Sequence, residues 1–318
     1  MPRPLRLAFM GTPVLARTLL ARLANLAGPS WSVVGVIAQP DKPSGRNLQL
    51  QAPPVKVEAL ARGLPVLQPS RARDPGFIDA FRLWAPDLVV VAAYGQILPQ
   101  ALLDVPPLGC LNVHTSLLPR WRGAAPIQWA IAEGDPETGV CLMRMEAGLD
   151  TGPILATART PIRPGDTGST LHDRLADLGA ELLVQSLPGI ASGQIRPVPQ
   201  PADGVTYARK ISREDGRIDW NQPAETVARR ARAFSPWPGS FCTFNTPGGH
   251  ARSILKVHAM EVIHGHPGAA GEVLGTSKDG TLVACARDAV RLVEVQPEGG
   301  RRMHAAAFMA GHPVSRFG

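Results

Sequence analysis

Three polar side chains that could stabilise charge and move protons follow two apolar stretches of this sequence. Asn112 and His114 are two positions apart in "LGCLNVH", and Asp150 follows "GVCLMRM" in a loop between two glycines. Side chains two positions apart in a strand project to the same face, so we expect the amide and the imidazole to lie together. Ligands of open parallel sheets bind beyond the carboxyl ends of the strands. If the two strands are neighbours, the Asp150 carboxylate can reach His114.

An amide, an imidazole and a carboxylate without a nucleophile suit acyl transfer directly onto an amine. Such side chains stabilise an oxyanion and move protons, and no covalent intermediate is needed. Thr115 and Ser116 follow the histidine, but no G-x-S-x-G turn surrounds them. A metal at His114 would need two or three partners, and only Asp150 is near. The structural alternative is that Asn112 stabilises a turn and His114 is a buried, hydrogen-bonded histidine.

The first half of the chain alternates short apolar stretches with helical patterns, which is typical of a parallel sheet covered by helices. A helix is predicted from Pro13 to just before Gly28. Only one glycine follows the first strand, and Pro13 lacks an N–H, so the phosphate cradle of a dinucleotide-binding domain is excluded. The strands are predicted at "LRLAF", "WSVVGVIAQ", "DLVVVAAY", "LGCLNVH" and "GVCLMRM". The prediction is a Rossmann-like α/β domain with a parallel-rich sheet.

The length of 318 residues favours two domains. Residues 196–222 are proline-rich, polar and charged, which is the composition of a linker. One helix and several short alternating strands follow, two of them joined by a turn at residues 278–280. We therefore predict an α/β domain over residues 1–195 and a small, mostly-β barrel over residues 223–318.

Charge, cysteines and hydropathy restrict the classes of function. The net charge is +7, and residues 207–318 hold 15 Lys and Arg against 10 Asp and Glu, which suggests a polyanionic partner or simply a soluble surface. The four cysteines are far apart, so neither a disulfide framework nor a zinc site is predicted. No apolar stretch approaches about 18 residues, and the N-terminal one is too short for a signal sequence. We expect a cytosolic monomer without metal or membrane contact.

Seven motifs spread along the chain together resemble the methionyl-tRNA formyltransferase family, from residue 5 to about residue 310. They are "FMGTP", "QPDKPSGR", "AYGQILP", "NVHTSLLPRWRGAAPIQ", "MEAGLDTGPIL", "TYARKISREDGRIDW" and "RAFSPWPGSF". "NVHTSLLP" and "GLDTGPIL" also fit other enzymes that use 10-formyltetrahydrofolate, whereas "RWRGAAPIQ", the "DKPSGR" insertion and the C-terminal domain discriminate. The resemblance implies formyl transfer from 10-formyltetrahydrofolate to the α-amine of methionine on initiator tRNA, with a C-terminal barrel resembling the OB-fold.

The resemblance also implies roles for individual residues. Asn112 and His114 would hydrogen-bond the developing oxyanion, while Asp150 would orient His114 and help remove the amine proton through a water. The folate-binding segment maps to Ser116, Leu117, Leu118 and Pro119, with Tyr94, Gly95 and Ile97 as the pocket wall. The tRNA-binding residues would be Lys42, Arg46 and Lys210. Leu117 and Leu118 could instead be core residues, and the loop around Arg46 could be an ordinary exposed loop. Asn47, Leu48 and Gln49 replace the glycine and lysines that often follow this arginine in the family.

Two rival functions stay open at this point. A formyltransferase acting on a small amine, such as a nucleotide sugar or glycinamide ribonucleotide, would have no use for a basic C-terminal barrel. A catalytically inactive RNA-binding protein would tolerate the loss of Asn112, His114 or Asp150, and the presence of all three argues against it.

Overall fold

The structure, a computed structural model, describes residues 3–44, 48–245 and 252–318 of the chain. The chain divides into two compact units. The first consists of Met1–Pro126, Glu137–Pro161 and His172–Ala208, and the second of Ile127–Pro136, Ile162–Leu171 and Arg209–Gly318. The second unit includes two short segments from within residues 1–195, which the sequence patterns do not indicate. The division into domains 1–195 and 223–318 around a linker stays a prediction.

The elements up to residue 208 alternate strands and helices as the hydropathy pattern predicts. In chain order they are β1 (Leu5–Gly11), α1 (Val14–Asn25), β2 (Trp31–Ile37), β3 (Lys42–Ser44), β4 (Gln49–Gln51), α2 (Pro54–Ala61), β5 (Val66–Leu67), α3 (Pro75–Arg82), β6 (Leu88–Ala92), α4 (Gln100–Leu103), β7 (Cys110–His114), β8 (Arg122–Gly123), α5 (Pro126–Glu133), β9 (Glu137–Arg144), β10 (Ile154–Pro161), α6 (Gly168–Ala191) and β11 (Tyr207–Ala208).

One sheet organises the first unit, with the strand order β10-β9-β7-β6-β1-β2-β5. The strands from β7 to β5 are parallel, and β9 and β10 continue the sheet as antiparallel strands at one edge. All of β6 is buried, as expected for a central parallel strand covered on both faces. The parallel-rich sheet confirms the predicted Rossmann-like α/β class.

Helix α1 shows how the sequence covers this sheet. Its buried positions recur every three or four residues, so one face of the helix is apolar. The helix begins after Pro13, whose fixed φ suits a helix start, and it ends at Asn25, shortly before Gly28, as predicted. Its buried side chains include Leu19, Leu20 and Leu23, all of which are fully buried.

The second unit is mostly antiparallel sheet. Its elements beyond residue 208 are a 3-10 helix (Arg213–Gly216), α7 (Ala224–Ala233), β12 (Ser240–Asn245), β13 (Arg252–Ile263), β14 (Val273–Ser277), β15 (Gly280–Ala284), β16 (Ala289–Pro297), β17 (Met303–His304) and α8 (Ala305–Gly311). The strand order is β12-β13-β16-β15-β14, with β17 beside β16. β14 ends at Ser277 and β15 begins at Gly280, which confirms the predicted hairpin turn. The antiparallel sheet confirms the mostly-β prediction.

A buried carboxylate stabilises the start of the second unit. Asp215 accepts hydrogen bonds from both terminal nitrogens of Arg209 and from the N–H and hydroxyl of Ser212. The hydrogen bonds from Arg209 contribute most to holding the pKa of Asp215 well below its usual range.

We expect Asp215→Asn to lower the melting temperature at neutral pH by roughly 3–8 °C, the shift for losing about 1–2 kcal/mol of charged hydrogen bonding. A carboxyl group whose folded pKa is lowered stabilises the protein above its unfolded pKa of about 3.9, and this stability is lost as pH falls through the folded pKa. The difference from the unaltered protein should therefore shrink below about pH 4 in melting curves. Asp279→Asn, in an exposed turn, is the control; an equal loss at every pH would contradict the prediction.

Candidate active site

Strand β7 presents Asn112 and His114 on the same face, next to its carboxyl end. Asn112 is half-buried, and the His114 side chain is 6% exposed. β7 pairs with β6 in parallel, with Val91 opposite Asn112, and with β9 in antiparallel, with Cys141 opposite His114. The sheet therefore fixes the backbone of both residues from two sides.

Asp150 lies against both side chains, although its strand runs in the opposite direction to β7. Because β9 is antiparallel, its last residue, Arg144, lies opposite Leu111 near the start of β7, and the following loop must turn back to the site. The loop brings Asp150 Oδ1 to 3.2 Å from Asn112 Nδ2, which donates a hydrogen bond to it. Asp150 Oδ2 lies 3.6 Å from His114 Nδ1. The carboxylate can thus reach the imidazole, as the sequence analysis requires.

The loop that carries Asp150 depends on close backbone contacts. Asp150 has a φ of +51°, a conformation that costs a non-glycine residue free energy and needs support from its surroundings. At Gly152, a Cβ would lie 1.8 Å from the carbonyl oxygen of Arg144, so only glycine fits there. The backbone N–H of Gly123 donates to Asp150 Oδ2 at 2.8 Å. The carboxylate is therefore held by hydrogen bonds on both of its oxygens.

The position of His114 Nε2 determines which ring nitrogen can accept a proton. Nε2 lies 2.9 Å from the carbonyl oxygen of Trp121, and a carbonyl oxygen only accepts hydrogen bonds, so Nε2 carries a hydrogen. The neutral ring then has its lone pair on Nδ1, the nitrogen that faces Asp150. His114 can accept a proton at Nδ1, and only the protonated ring can donate from there. Asp150 is placed to stabilise that imidazolium.

The residues predicted to bind folate differ in accessibility. Ser116 is fully buried and donates from Oγ to the Arg120 carbonyl oxygen at 2.6 Å, and Leu118 packs with Cys141, Met143 and Ile154 in a small core cluster. Leu117 and Pro119 are half-buried. Tyr94 is buried, which raises the pKa of its hydroxyl to about 12. Ile97, by contrast, is 92% exposed, and the space beside Gly95 is open. Their role in folate binding stays a prediction.

Of the three residues predicted to bind tRNA, the structure describes two. Lys42 is exposed at the start of the β3–β4 hairpin of the first unit, and Lys210 is exposed in the second unit. Arg46 lies outside the described residues. The structure thus brings together Asn112, His114 and Asp150, and their catalytic role stays a prediction.

Several groups that contact the catalytic candidates are not evident from the sequence. The Trp121 carbonyl and the Gly123 N–H are backbone groups, and the residue type at a position does not indicate what its backbone groups contact. Gln200 contacts the Asp150 loop from the stretch whose composition predicts a linker. Because its neighbours are proline-rich and polar, the sequence predicts a linker there, and the contact is seen only in the structure.

The remaining expectations concern cysteine, metal and membrane. All four cysteines are buried and free, and burial raises the pKa of the Cys110 thiol to about 12. Within residues 3–44, 48–245 and 252–318, no cluster of three or more His, Cys, Asp or Glu could hold a metal ion. Over the same ranges, every helix is too short or too polar to span a membrane.

Comparison with known proteins assigns both halves of the chain to formyl transferases. Residues 5–187 match the formyl transferase family model, and residues 210–313 match the model of the formyl transferase C-terminal domain. The methionyl-tRNA formyltransferase of Myxococcus xanthus is 51% identical over 315 residues, which cover 99% of this chain and 97% of that protein.

Two solved structures share the fold at low sequence identity. The sugar 3N-formyl transferase WlaRD, crystallised with dTDP and 5-N-formyl-THF, has a TM-score of 0.65 and 15% identity, covering 92% of this chain and 98% of its own. HypX from Aquifex aeolicus, in complex with tetrahydrofolic acid, has a TM-score of 0.59 and 19% identity over 96% of this chain. This chain spans 46% of HypX. At these identities the likeness concerns the fold alone.

Proposed function

Because this chain belongs to the methionyl-tRNA formyltransferase family, we infer that it transfers the formyl group of 10-formyltetrahydrofolate to the α-amino group of methionyl initiator tRNA. The observation that carries this proposal is the contact of one carboxylate, Asp150, with both the amide of Asn112 and the imidazole of His114 at the end of β7. This is the set of groups that acyl transfer onto an amine requires.

Each of the three side chains has a distinct role in the proposed reaction. Asn112 donates one amide hydrogen to Asp150, and its second amide hydrogen is available to the oxyanion that develops on the formyl group. His114 accepts at Nδ1 the proton that the amine loses, and Asp150 stabilises the resulting imidazolium. A free α-amine titrates near about 8, so a useful neutral fraction exists at pH 7.

The atoms of this step balance without a metal or a covalent enzyme intermediate. The 10-formyltetrahydrofolate supplies an activated formyl group. The amine nitrogen bonds to the formyl carbon, and the bond from that carbon to N10 breaks. His114 returns the proton to N10, so the site ends in its starting protonation state.

The surroundings of the site support a flat, partly apolar co-substrate. Gly95 and the exposed side chain of Ile97 follow β6, the neighbour of β7 in the sheet, so an accessible apolar surface adjoins the end of β7. We propose these residues, with Tyr94 and the segment 116–119, as the folate site. We further propose that the enzyme acts as a monomer in the cytosol, where both proposed substrates are dissolved.

A direct assay tests the proposed function. Formyl transfer from 10-formyltetrahydrofolate should be measured with methionyl initiator tRNA, with free methionine and with a nucleotide-linked amino sugar as acceptors. We expect transfer to the charged tRNA and little to the other two. Preferred transfer to the amino sugar would replace the proposal by the small-amine alternative.

The positive charge of the C-terminal third predicts that the affinity for tRNA depends on salt. Residues 207–318 hold five more basic than acidic residues, and released counterions make the logarithm of affinity fall linearly with the logarithm of salt concentration. About five neutralised phosphates would lower affinity by roughly 10²–10³-fold between about 50 and 200 mM salt. Filter binding of methionyl-tRNA measures this, with the affinity for the folate as control. A salt-independent Kd for tRNA would contradict electrostatic binding.

Arg46 is proposed from its sequence motif to contact the acceptor end of the tRNA. A guanidinium binds phosphate or stacks on an unpaired base, and one such contact contributes about 1–3 kcal/mol. We expect Arg46→Ala to lower kcat/KM for methionyl-tRNA by about 10-fold or more and to leave folate affinity unchanged. Arg73→Ala, at an arginine of the first unit that is exposed, is the control. An equal loss for both substrates, or none for tRNA, would contradict this role.

A further inference from the structure

The segment of residues 198–208, called here the bridging segment, contacts the loop that carries Asp150 and the loop that follows His114. At one end, Val198 and Ile154 exchange two backbone hydrogen bonds of 2.8 Å just after the Asp150 loop. At the other end, β11 pairs in parallel with β8, which follows the His114 loop. The whole segment belongs to the first unit. It therefore contacts two loops that lie outside the seven-stranded sheet.

Gln200 binds the backbone that directly follows the Asp150 side chain. Its Nε2 donates to the carbonyl oxygens of Asp150 at 2.7 Å and of Gly152 at 2.8 Å. Its Oε1 accepts from Arg122 Nη2 at 2.7 Å and Nε at 3.1 Å, which fixes the amide orientation because the guanidinium only donates. One amide thus holds the carbonyl oxygen of Asp150, whose φ is +51°, and that of Gly152 two residues later.

Thr206 acts on the other catalytic candidate through Trp121. The Thr206 Oγ1 accepts a hydrogen bond of 2.9 Å from the Trp121 backbone N–H, and Trp121 has a φ of +64°. The carbonyl of the same residue accepts from His114 Nε2. Thr206 therefore supports the strained residue that sets both the orientation and the tautomer of the imidazole.

The bridging segment also affects Asp150 through Gly123. A Cβ at Gly123 would lie 2.7 Å from the Ala208 carbonyl oxygen, and its φ of +114° favours glycine. This close approach of β8 and β11 positions the Gly123 N–H to donate to Asp150 Oδ2. Three contacts from one short segment thus converge on His114, the proposed proton acceptor, and on Asp150, which stabilises the imidazolium.

We propose that Gln200 and Thr206 are positioning residues for formyl transfer, Gln200 by fixing Asp150 and Thr206 by fixing the Trp121 carbonyl that holds His114. The inference rests on the proposed function. A displacement of about 1 Å in a catalytic group can lower a rate by about 10²-fold, so the loss of either contact should lower kcat. Substrate binding should change little, because neither side chain is proposed to touch substrate.

The experiment compares near-isosteric variants of the full chain under single-turnover conditions, so that slow variants can be measured. Gln200→Met removes all hydrogen bonds of the amide, whereas Gln200→Glu retains the contact with Arg122 but turns an oxygen toward two carbonyl oxygens. Thr206→Val removes the hydroxyl, and Thr206→Ser retains it. The matched controls are Gln185→Met and Thr18→Val, the same substitutions at surface residues of the first unit whose side chains also donate hydrogen bonds.

We expect both Gln200 variants to lower the single-turnover rate by about 10–10²-fold and to change each KM by less than about threefold. Thr206→Val should lower the rate by about 10-fold, and Thr206→Ser should restore most of it. Melting temperatures should differ little between Gln200→Glu and the control variants, since the ion pair with Arg122 replaces the lost bonds.

Double variants separate positioning from a merely structural role. If Gln200 acts through Asp150, Gln200→Met should lower the rate by less than about threefold when Asp150→Asn is already present. If Thr206 acts through His114, Thr206→Val should likewise lower the rate by less than about threefold when His114→Ala is already present. Independent, multiplicative losses in both pairs, or a rate equal to that of the unaltered protein, would overturn the proposal. Absence of formyl transfer by the unaltered protein would overturn the proposed function instead.

Discussion

Asp150→Asn should lower kcat for formyl transfer by at least about 10²-fold while the protein stays folded. The substitution removes the negative charge that lies 3.6 Å from His114 Nδ1, where the imidazolium forms. It also replaces one carboxylate oxygen by an amide NH₂ group, which donates hydrogen bonds and does not accept them. In the unaltered protein both oxygens accept, one from Asn112 and the other from Gly123. One of these N–H groups then meets another donor. The measurement is single-turnover formyl transfer to methionyl-tRNA.

The surface pair of His172 and Asp173 offers a matched control for this prediction. Its atoms Nδ1 and Oδ1 lie 2.9 Å apart in the same unit, and the Asp173 side chain is 73% exposed. Asp173→Asn changes the same functional group beside a histidine and should leave kcat unchanged. A kcat for folded Asp150→Asn within a few-fold of that for Asp173→Asn would refute the role of Asp150.

The sequence predicts those features whose residues recur at the regular spacing of a strand or a helix. The two-residue period of a strand places Asn112 and His114 on one face, and the continuous apolar stretch of β6 identifies a central strand. Helix α1 follows from its regular apolar face between Pro13 and Gly28. Such features depend on residues close in sequence, so local patterns suffice.

The features that the sequence does not predict depend on backbone groups and on strand direction. The apolar stretch of β9 does not reveal that this strand is antiparallel to β7, so the return of the loop to Asp150 appears only in the fold. The Trp121 carbonyl selects the tautomer of His114, and every residue type has a carbonyl. Gln200 lies 50 residues from its partner Asp150 in a polar stretch. Tertiary contacts of this kind have no local signature.

His114→Ala should also lower kcat by at least about 10²-fold, because it removes the group that accepts the proton of the attacking amine. His114 Nε2 donates its hydrogen to the Trp121 carbonyl, so Nδ1 carries the lone pair that can accept the proton. His114→Gln provides the sharper comparison, since its amide can donate to the same carbonyl but cannot accept a proton at neutral pH. We expect both variants to be impaired in the same single-turnover assay, and we expect added imidazole to restore part of the activity of His114→Ala only.

The comparison of these two variants identifies which function of His114 matters most. If glutamine is as slow as alanine, proton acceptance at Nδ1 limits the reaction. If glutamine restores most of the rate, donation of a hydrogen bond is sufficient, and the assignment of His114 as the base is wrong. His172→Ala, which removes a half-buried histidine paired with a neighbouring aspartate, should retain full activity. Near-normal kcat in folded His114→Ala would refute the catalytic set as a whole, because Asp150 acts on the amine only through this ring.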